Sequence, residues 1–170
     1  MTRRILIFAL FLTLICSLAA CQEVGQQDTG VSEPYENSSY ESVEGTKIKM
    51  ITENTEVVIT LNDSRAAADL VAMLPLELTL IERNSFAKGM TLLEQLSSVE
   101  ATTREYEIGD FGYWNAGPDL AIFYDDIYEQ TIVEVIPLGH AQSGAETMAN
   151  EVGTVRLELV NEEGEQSENE

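Results

Sequence analysis

An indole flanked by a phenol and a carboxamide, Tyr113-Trp114-Asn115, is the most ligand-like constellation in this 170-residue sequence. On a glycine-bounded loop the indole face can stack on a ligand, while Asn115 offers both a donor and an acceptor. The three lie in GDFGYWNAGPDLAIFY, Gly109 to Tyr124, which holds the only tryptophan. Gly109, Gly112 and Gly117 permit tight turns and Pro118 stiffens the last, so LAIFY reads as a buried strand in which Phe123 packs the core or lines a pocket. Other chemistries have less to build on. His140 is the sole histidine, which leaves neither a histidine-rich zinc site nor a Ser-His-Asp machinery to assemble and makes it a satisfied or surface side chain. Asp119, Asp125 and Asp126 lack the alternating oxygen spacing of a calcium loop and read as turn residues and solvated charges. No glycine-rich phosphate cradle is present. Neither metal nor cofactor is expected.

Charge narrows the partners. A formal net charge of -21 adds like-charge repulsion to any contact with nucleic acid or an anionic bilayer surface, and excludes nucleic acid as an expected partner. A hydrophobic content of 44% supports one good core, hence a single folded domain plus extensions.

The extensions are legible. Arg3 and Arg4 precede the apolar run ILIFALFLTLIC, which has the charge order of a secretory signal and is short of the ~20 residues that cross a bilayer. Leu18-Ala19-Ala20-Cys21 then resembles the lipobox of bacterial lipoproteins, in which the cysteine becomes the lipidated first residue of the mature chain. The expectation is a signal peptide over 1–20 and an extracytoplasmic protein held to a bacterial membrane at Cys21, since two or three acyl chains anchor stably where one is marginal. With Cys16 removed and Cys21 acylated, the domain has no thiol for a disulfide or a metal and must be held by packing. From Cys21 to Gly45 the chain is rich in Gln, Glu, Ser and Gly without apolar periodicity, and reads as a flexible acidic tether. Its ~24 residues would span on the order of 25–30 Å. NEEGEQSENE, 161–170, reads as a disordered acidic tail.

Between them, 46–160 must fold. KIKMI and VVITLN alternate about the turn residues ENTE, with Ile48 and Met50 on one face and Val57, Ile59 and Leu61 on the other strand's equivalent, which predicts a β-hairpin. Asn62 or Asp63 can cap a short helix whose stripe is Ala66, Ala67, Leu70, Val71 and Leu74, stopped by Pro75. LELTLIER alternates through Leu76, Leu78 and Leu80. MTLLEQL suggests a turn or two of helix, TTREYEIG a strand, LAIFY and TIVEVIPLG continuous apolar strands, and SGAETMANE a capped helical turn. TVRLELV closes the domain with Val155, Leu157 and Leu159 inward. The order predicts a mainly β fold, a closed antiparallel barrel with one or two short capping helices, because closure removes vulnerable edges.

Several of these stretches carry a resemblance. Asn115-Ala116-Gly117-Pro118 followed by Ile122-Phe123-Tyr124 is similar to the cyclophilin segment N-A-G-P and its following Q-F-F-I strand. IPLGHAQSGAETM resembles the cyclophilin F-G-x-V-x-x-G-M, with Gly139 and Gly144 on the two glycines. The span from Ile48 to Leu159 resembles the small bacterial cyclophilin-like domains that lack an assigned activity. The resemblance implies a cyclophilin-like barrel. It also places Arg83, in IERNSF, in the region of the arginine that cyclophilins use on the proline amide, although with shorter spacing to Phe86. DDIYEQTIVEVIPLG replaces the family stretch W-L-D-G-K-H-V-V-F-G, without its tryptophan or histidine. Two functions are therefore expected as alternatives. One is a non-catalytic module binding a small ligand or peptide through Tyr113, Trp114, Asn115 and Phe123. The other is a peptidyl-prolyl isomerase with a divergent site, in which Arg83 is the catalytic candidate. Oligomeric state is not legible.

Overall fold

The computed structural model describes residues 39–160. The signal-like segment, Cys21, most of the tether and the acidic tail lie outside the described residues. Among the described residues no helix is long and apolar enough to cross a membrane.

The hairpin forms where alternation places it. Strand β1, Lys47–Ile51, pairs antiparallel with β2, Glu56–Leu61, Ile48 opposite Ile59 and Met50 opposite Val57. All four side chains are buried, each contributing about 1.5–3 kcal/mol by leaving water. The preceding residues, read as the end of the tether, are seated on this hairpin: Val43 packs against the core and the Gly45 amide donates to the Leu61 carbonyl at 3.0 Å.

Helix α1, Arg65–Met73, begins one or two residues later than the expected caps. Ser64 is the N-cap, its hydroxyl accepting from the Ala67 amide at 3.0 Å. Ser64 has the extended backbone from which an N-cap hydroxyl reaches the first turn. Ala66, Ala67 and Leu70 are buried as the stripe predicts, with Val71 and Leu74 half-buried against the same core. Ser64→Ala is expected to lower unfolding free energy by about 1 kcal/mol, read as a shift in urea midpoint without a change in slope.

The remaining strands are β3, Leu76–Thr79, β4, Ile81–Arg83, β5, Ala87–Thr91, β6, Asp110–Trp114, β7, Asp119–Phe123, β8, Ile136–His140, and β9, Thr154–Leu159. A short 3-10 helix, Ala145–Asn150, precedes β9 and adds Ala145 and Met148 to the core. Nine strands make one sheet in the order β3-β9-β1-β2-β8-β6-β7-β5-β4, every pair antiparallel. The two edge strands of that order, β3 and β4, are separated in the chain by Leu80 alone. They are the halves of one bent segment, so the sheet curls into a nearly closed antiparallel barrel with two short helices.

Four local expectations are corrected. MTLLEQL is not helical: Met90 and Thr91 end β5 and the rest is irregular, because the buried residues Met90, Leu92 and Leu96 do not share a helical stripe and Leu93 is 99% exposed. TTREYEIG contains no strand, only an isolated bridge between Thr103 and Val135. TIVEVIPLG becomes a strand only from Ile136, since Ile132 and Val133 face solvent. Leu159 is 40% exposed at the end of β9, leaving Val155 and Leu157 as its inward residues.

Candidate ligand-binding groove

β5, β6 and β7 are largely buried on both faces, and the second face builds the site. On β7, Leu120 and Ile122 point into the barrel, while Ala121 and Phe123 join a separate outer cluster with Phe86, Ala87, Tyr106 and Val135. Four rings pack there. Phe123 lies 4.8 Å from Tyr106 and 5.5 Å from Phe86, and Tyr128 meets Phe86 edge-on at 5.3 Å. Each such pair adds about 0.5–1.5 kcal/mol beyond its buried area. The segments crossing this face, which sequence periodicity reads as strands, are the irregular cover of the cluster. Thr103 and Val135 exchange both backbone hydrogen bonds at 2.9 Å.

Beside the cluster lies a groove of about 190 Å³ whose lining includes Arg83, Phe86, Trp114, Phe123, Ile132 and Val135. Three residues singled out by sequence, Arg83, Trp114 and Phe123, thus converge from β4, β6 and β7. Trp114 ends β6 half-buried, its ring against Gly117: a Cβ at Gly117 would lie 2.1 Å from the indole Cζ3. Asn115 occupies the exposed turn beyond it and is not part of the lining. Tyr113 points the other way. It is fully buried in the barrel, its hydroxyl accepting from the Leu96 amide at 3.2 Å, and burial pushes its pKa upward against that hydrogen bond. Strand alternation separates Tyr113 from Trp114: adjacent residues face opposite sides of a sheet.

Arg83 is held in place. Its side chain crosses β5 over Gly89, where a Cβ would approach Nε to 2.6 Å, and its Nη2 donates to Oδ2 of Asp119. The Thr91 hydroxyl donates to Oδ1 of the same carboxylate. Asp119 is the first residue of β7 and is buried, rather than a turn residue. Sequence gives no sign of this pairing, because the partners are 36 residues apart and meet only through the β4-β5-β7 register. Gly112, likewise, is in β6 rather than a turn, next to a bulge in its pairing with β8 and against the Val135 side chain.

The turn between β4 and β5 is tied from inside. Asn84 and Ser85 both have positive φ, 53° and 60°, and Glu82 accepts from the Ser85 amide at 3.1 Å. Glu82 also accepts from Lys88 Nζ and from the Tyr124 hydroxyl, both at 2.7 Å. Burial opposes its ionisation, but the hydrogen bonds from Lys88 and Tyr124 prevail and hold it below the ordinary carboxylate value. Tyr124 is pushed up to about 12 by burial and by the hydrogen bond to Glu82.

His140, on β8, donates from Nδ1 to Oδ1 of Asp110 at 2.8 Å and is partly exposed, away from the groove lining. Among the described residues no group of three His, Cys, Asp or Glu side chains is arranged to hold a metal ion.

Gly117→Ala is expected to drive the indole off the turn. The clash is with the far end of one side chain, so the fold should survive while the Trp114 emission maximum shifts to the red. An unshifted spectrum would mean that the ring does not rest on Gly117.

Residues 50–160 match the family model of the cyclophilin-like family. No curated protein sequence is significantly similar to the chain. Among solved structures, a hypothetical protein from Archaeoglobus fulgidus aligns with a TM-score of 0.59 at 17% identity, over 71% of this chain and 98% of its own. McbB, solved in complex with tryptophan, aligns with a TM-score of 0.51 at 13% identity, over 72% of this chain and 46% of its own. At these identities the likeness is one of fold.

Proposed function

The chain belongs to the cyclophilin-like family, and from that premise we propose that it is a non-catalytic binding module whose groove holds a small apolar ligand or a peptide side chain. The observation that carries this reading is the convergence of Arg83, Trp114 and Phe123 on one apolar groove from three strands. An apolar pocket with one fixed polar group is how proteins hold and orient such ligands. The same proposal places the module outside the cytosol on a lipid anchor at Cys21, supported by the signal-like run and the Leu18–Cys21 resemblance.

A second reading, prolyl isomerisation, draws on one feature: a guanidinium at the edge of an aromatic pocket. Its electrostatic work would be to stabilise charge that develops as the amide twists. The buried Asp119 carboxylate, bonded to that guanidinium, offsets its charge. That pairing favours binding over turnover.

The two readings separate in one pair of measurements. Titration of a capped Ala-Leu-Pro-Phe peptide, followed by Trp114 fluorescence, should saturate, and Phe123→Ala should weaken it at least about ten-fold, the loss expected for a truncated aromatic anchor. In a protease-coupled assay the same sequence should isomerise no faster than in buffer. Acceleration abolished by Arg83→Ala would establish the isomerase instead.

A further inference from the structure

We propose that the groove's occupant is an extended polypeptide segment in which an apolar side chain is flanked by Lys or Arg residues. This rests on the binding reading above and adds the chemistry of the partner.

The loop from Asp125 to Glu134 carries the argument. Ile127, Tyr128, Ile132 and Val133 are between 38% and 66% exposed on it, yet the loop is held rather than loose. The Asp125 amide donates to the Phe86 carbonyl at 3.3 Å and the Tyr128 amide to the Tyr106 hydroxyl at 3.1 Å. Thr131 is buried. Its amide donates to the Arg104 carbonyl at 2.8 Å, its hydroxyl donates to the Val133 carbonyl at 2.6 Å, and Arg104 Nε donates to its carbonyl at 2.7 Å. Exposed apolar residues fixed in one place mark an interaction surface.

That surface outruns the groove. Ile132 and Val133 form part of the groove wall, whereas Ile127 and Tyr128 lie beyond it, connected through the Tyr128 ring packed on Phe86. A ligand filling about 190 Å³ leaves Ile127 and Tyr128 uncovered, and an extended chain reaches both.

Charge selects the flanks. The same loop bears Asp125, Asp126, Glu129 and Glu134, all exposed, and no basic residue. Of the nearby cations, Arg83 is paired with Asp119 and Lys88 is buried on the other face with Glu82, while the exposed Arg104, its Nε donating to the Thr131 carbonyl at the base of the loop, sets one positive charge against these carboxylates. The loop that supplies Ile132 and Val133 to the groove wall therefore offers carboxylates to a Lys or Arg beside the inserted apolar residue and repulsion to an acidic flank.

The test uses the soluble chain without its first twenty-one residues and three capped peptides. Each has the core Ala-Leu-Pro-Phe, flanked on both sides by two Lys, two Ser or two Glu, and binding is read from Trp114 fluorescence. At low salt the Lys-flanked peptide should bind at least about ten-fold more tightly than the Glu-flanked one, and raising ionic strength should shrink the gap. Replacing the loop charges (Asp125→Asn, Asp126→Asn, Glu129→Gln) should shrink it several-fold while the Ser-flanked peptide binds as before. Equal binding of Lys- and Glu-flanked peptides overturns the inference and leaves the groove reading intact. A Lys preference undiminished in the loop variant also overturns it, because the attraction then comes from the net charge of the whole chain. If no peptide binds, the peptide reading and this inference fall together.

Discussion

Gly139→Val is expected to destabilise the domain by about 3 kcal/mol, near the upper end of the overpacking range. A Cβ at this position would lie 2.4 Å from the Thr60 carbonyl oxygen and 3.0 Å from the Leu61 Cα. Both are backbone atoms of the facing strand, so no rotamer change relieves the clash. β2 and β8 must separate, and little holds them together. Their ladder has two residue pairs, Thr60 with His140 and Leu61 with Gly139. It is extended by Asn62, whose amide bonds the Leu138 carbonyl at 2.9 Å and whose side chain bonds the Pro137 carbonyl at 2.8 Å. This seam joins the β3-β9-β1-β2 half of the barrel to the β8-β6-β7-β5-β4 half. Urea unfolding measures the loss directly, and a variant within about 1 kcal/mol of the parent, the noise of ordinary substitutions, would show that the two strands are not in close contact.

The second large effect is an asymmetry within one ion pair. Lys88 has a side chain only 4% exposed, while its partner Glu82 is 47% exposed. Removing the glutamate strands a buried ammonium with the Tyr124 ring, 5.6 Å from Nζ, as its remaining neighbour of favourable charge. Glu82→Ala is therefore expected to cost about 2 kcal/mol, below the 3–5 typical of fully buried pairs because Glu82 is half in water. Lys88→Met, which removes the charge and keeps the apolar stem, should be near neutral. The pH dependence follows from the direction of the Glu82 shift. Its folded pKa lies below the ordinary 4.5, so its stabilisation is complete above the unfolded carboxylate range and is lost as pH falls through the folded value. The gap in stability between the parent and Glu82→Gln should narrow from near pH 7 to near pH 3. A gap that holds constant would show that the carboxylate charge contributes nothing.

How far the sequence reaches depends on whether one side of an element or both are dry. β1, β2 and β9 alternate because one face is wet, and their positions and inward residues follow from period two, as does the α1 stripe from period 3.6. Alternation misleads where a segment leans on an outer cluster instead of a neighbouring strand. In TTREYEIG, Tyr106 is buried against Phe86 and Phe123 while Glu105 and Glu107 are exposed, which imitates a strand that has no ladder. The candidate groove is legible in part. Arg83, Trp114 and Phe123 stand out by residue type, and the unbroken apolar character of LAIFY is the signal that its outer side is covered too. Asp119 and Gly89 were not legible, because what makes them matter is the path of one guanidinium across two strands. Tyr113 was misplaced by adjacency to Trp114, which in an extended chain means the opposite side.

The pairing of β1 with β9 sets Ile48 opposite Leu159, and the Val160 amide donates to the Lys47 carbonyl at 3.0 Å. The polypeptide therefore comes in and goes out at a single doorway. A unit wired this way can be spliced into a loop of a host protein, or given new ends elsewhere on its surface once its own are joined by a linker that keeps Val43 to Thr46 in place. Whatever sequences flank it, the domain behaves as a bead whose two thread holes adjoin.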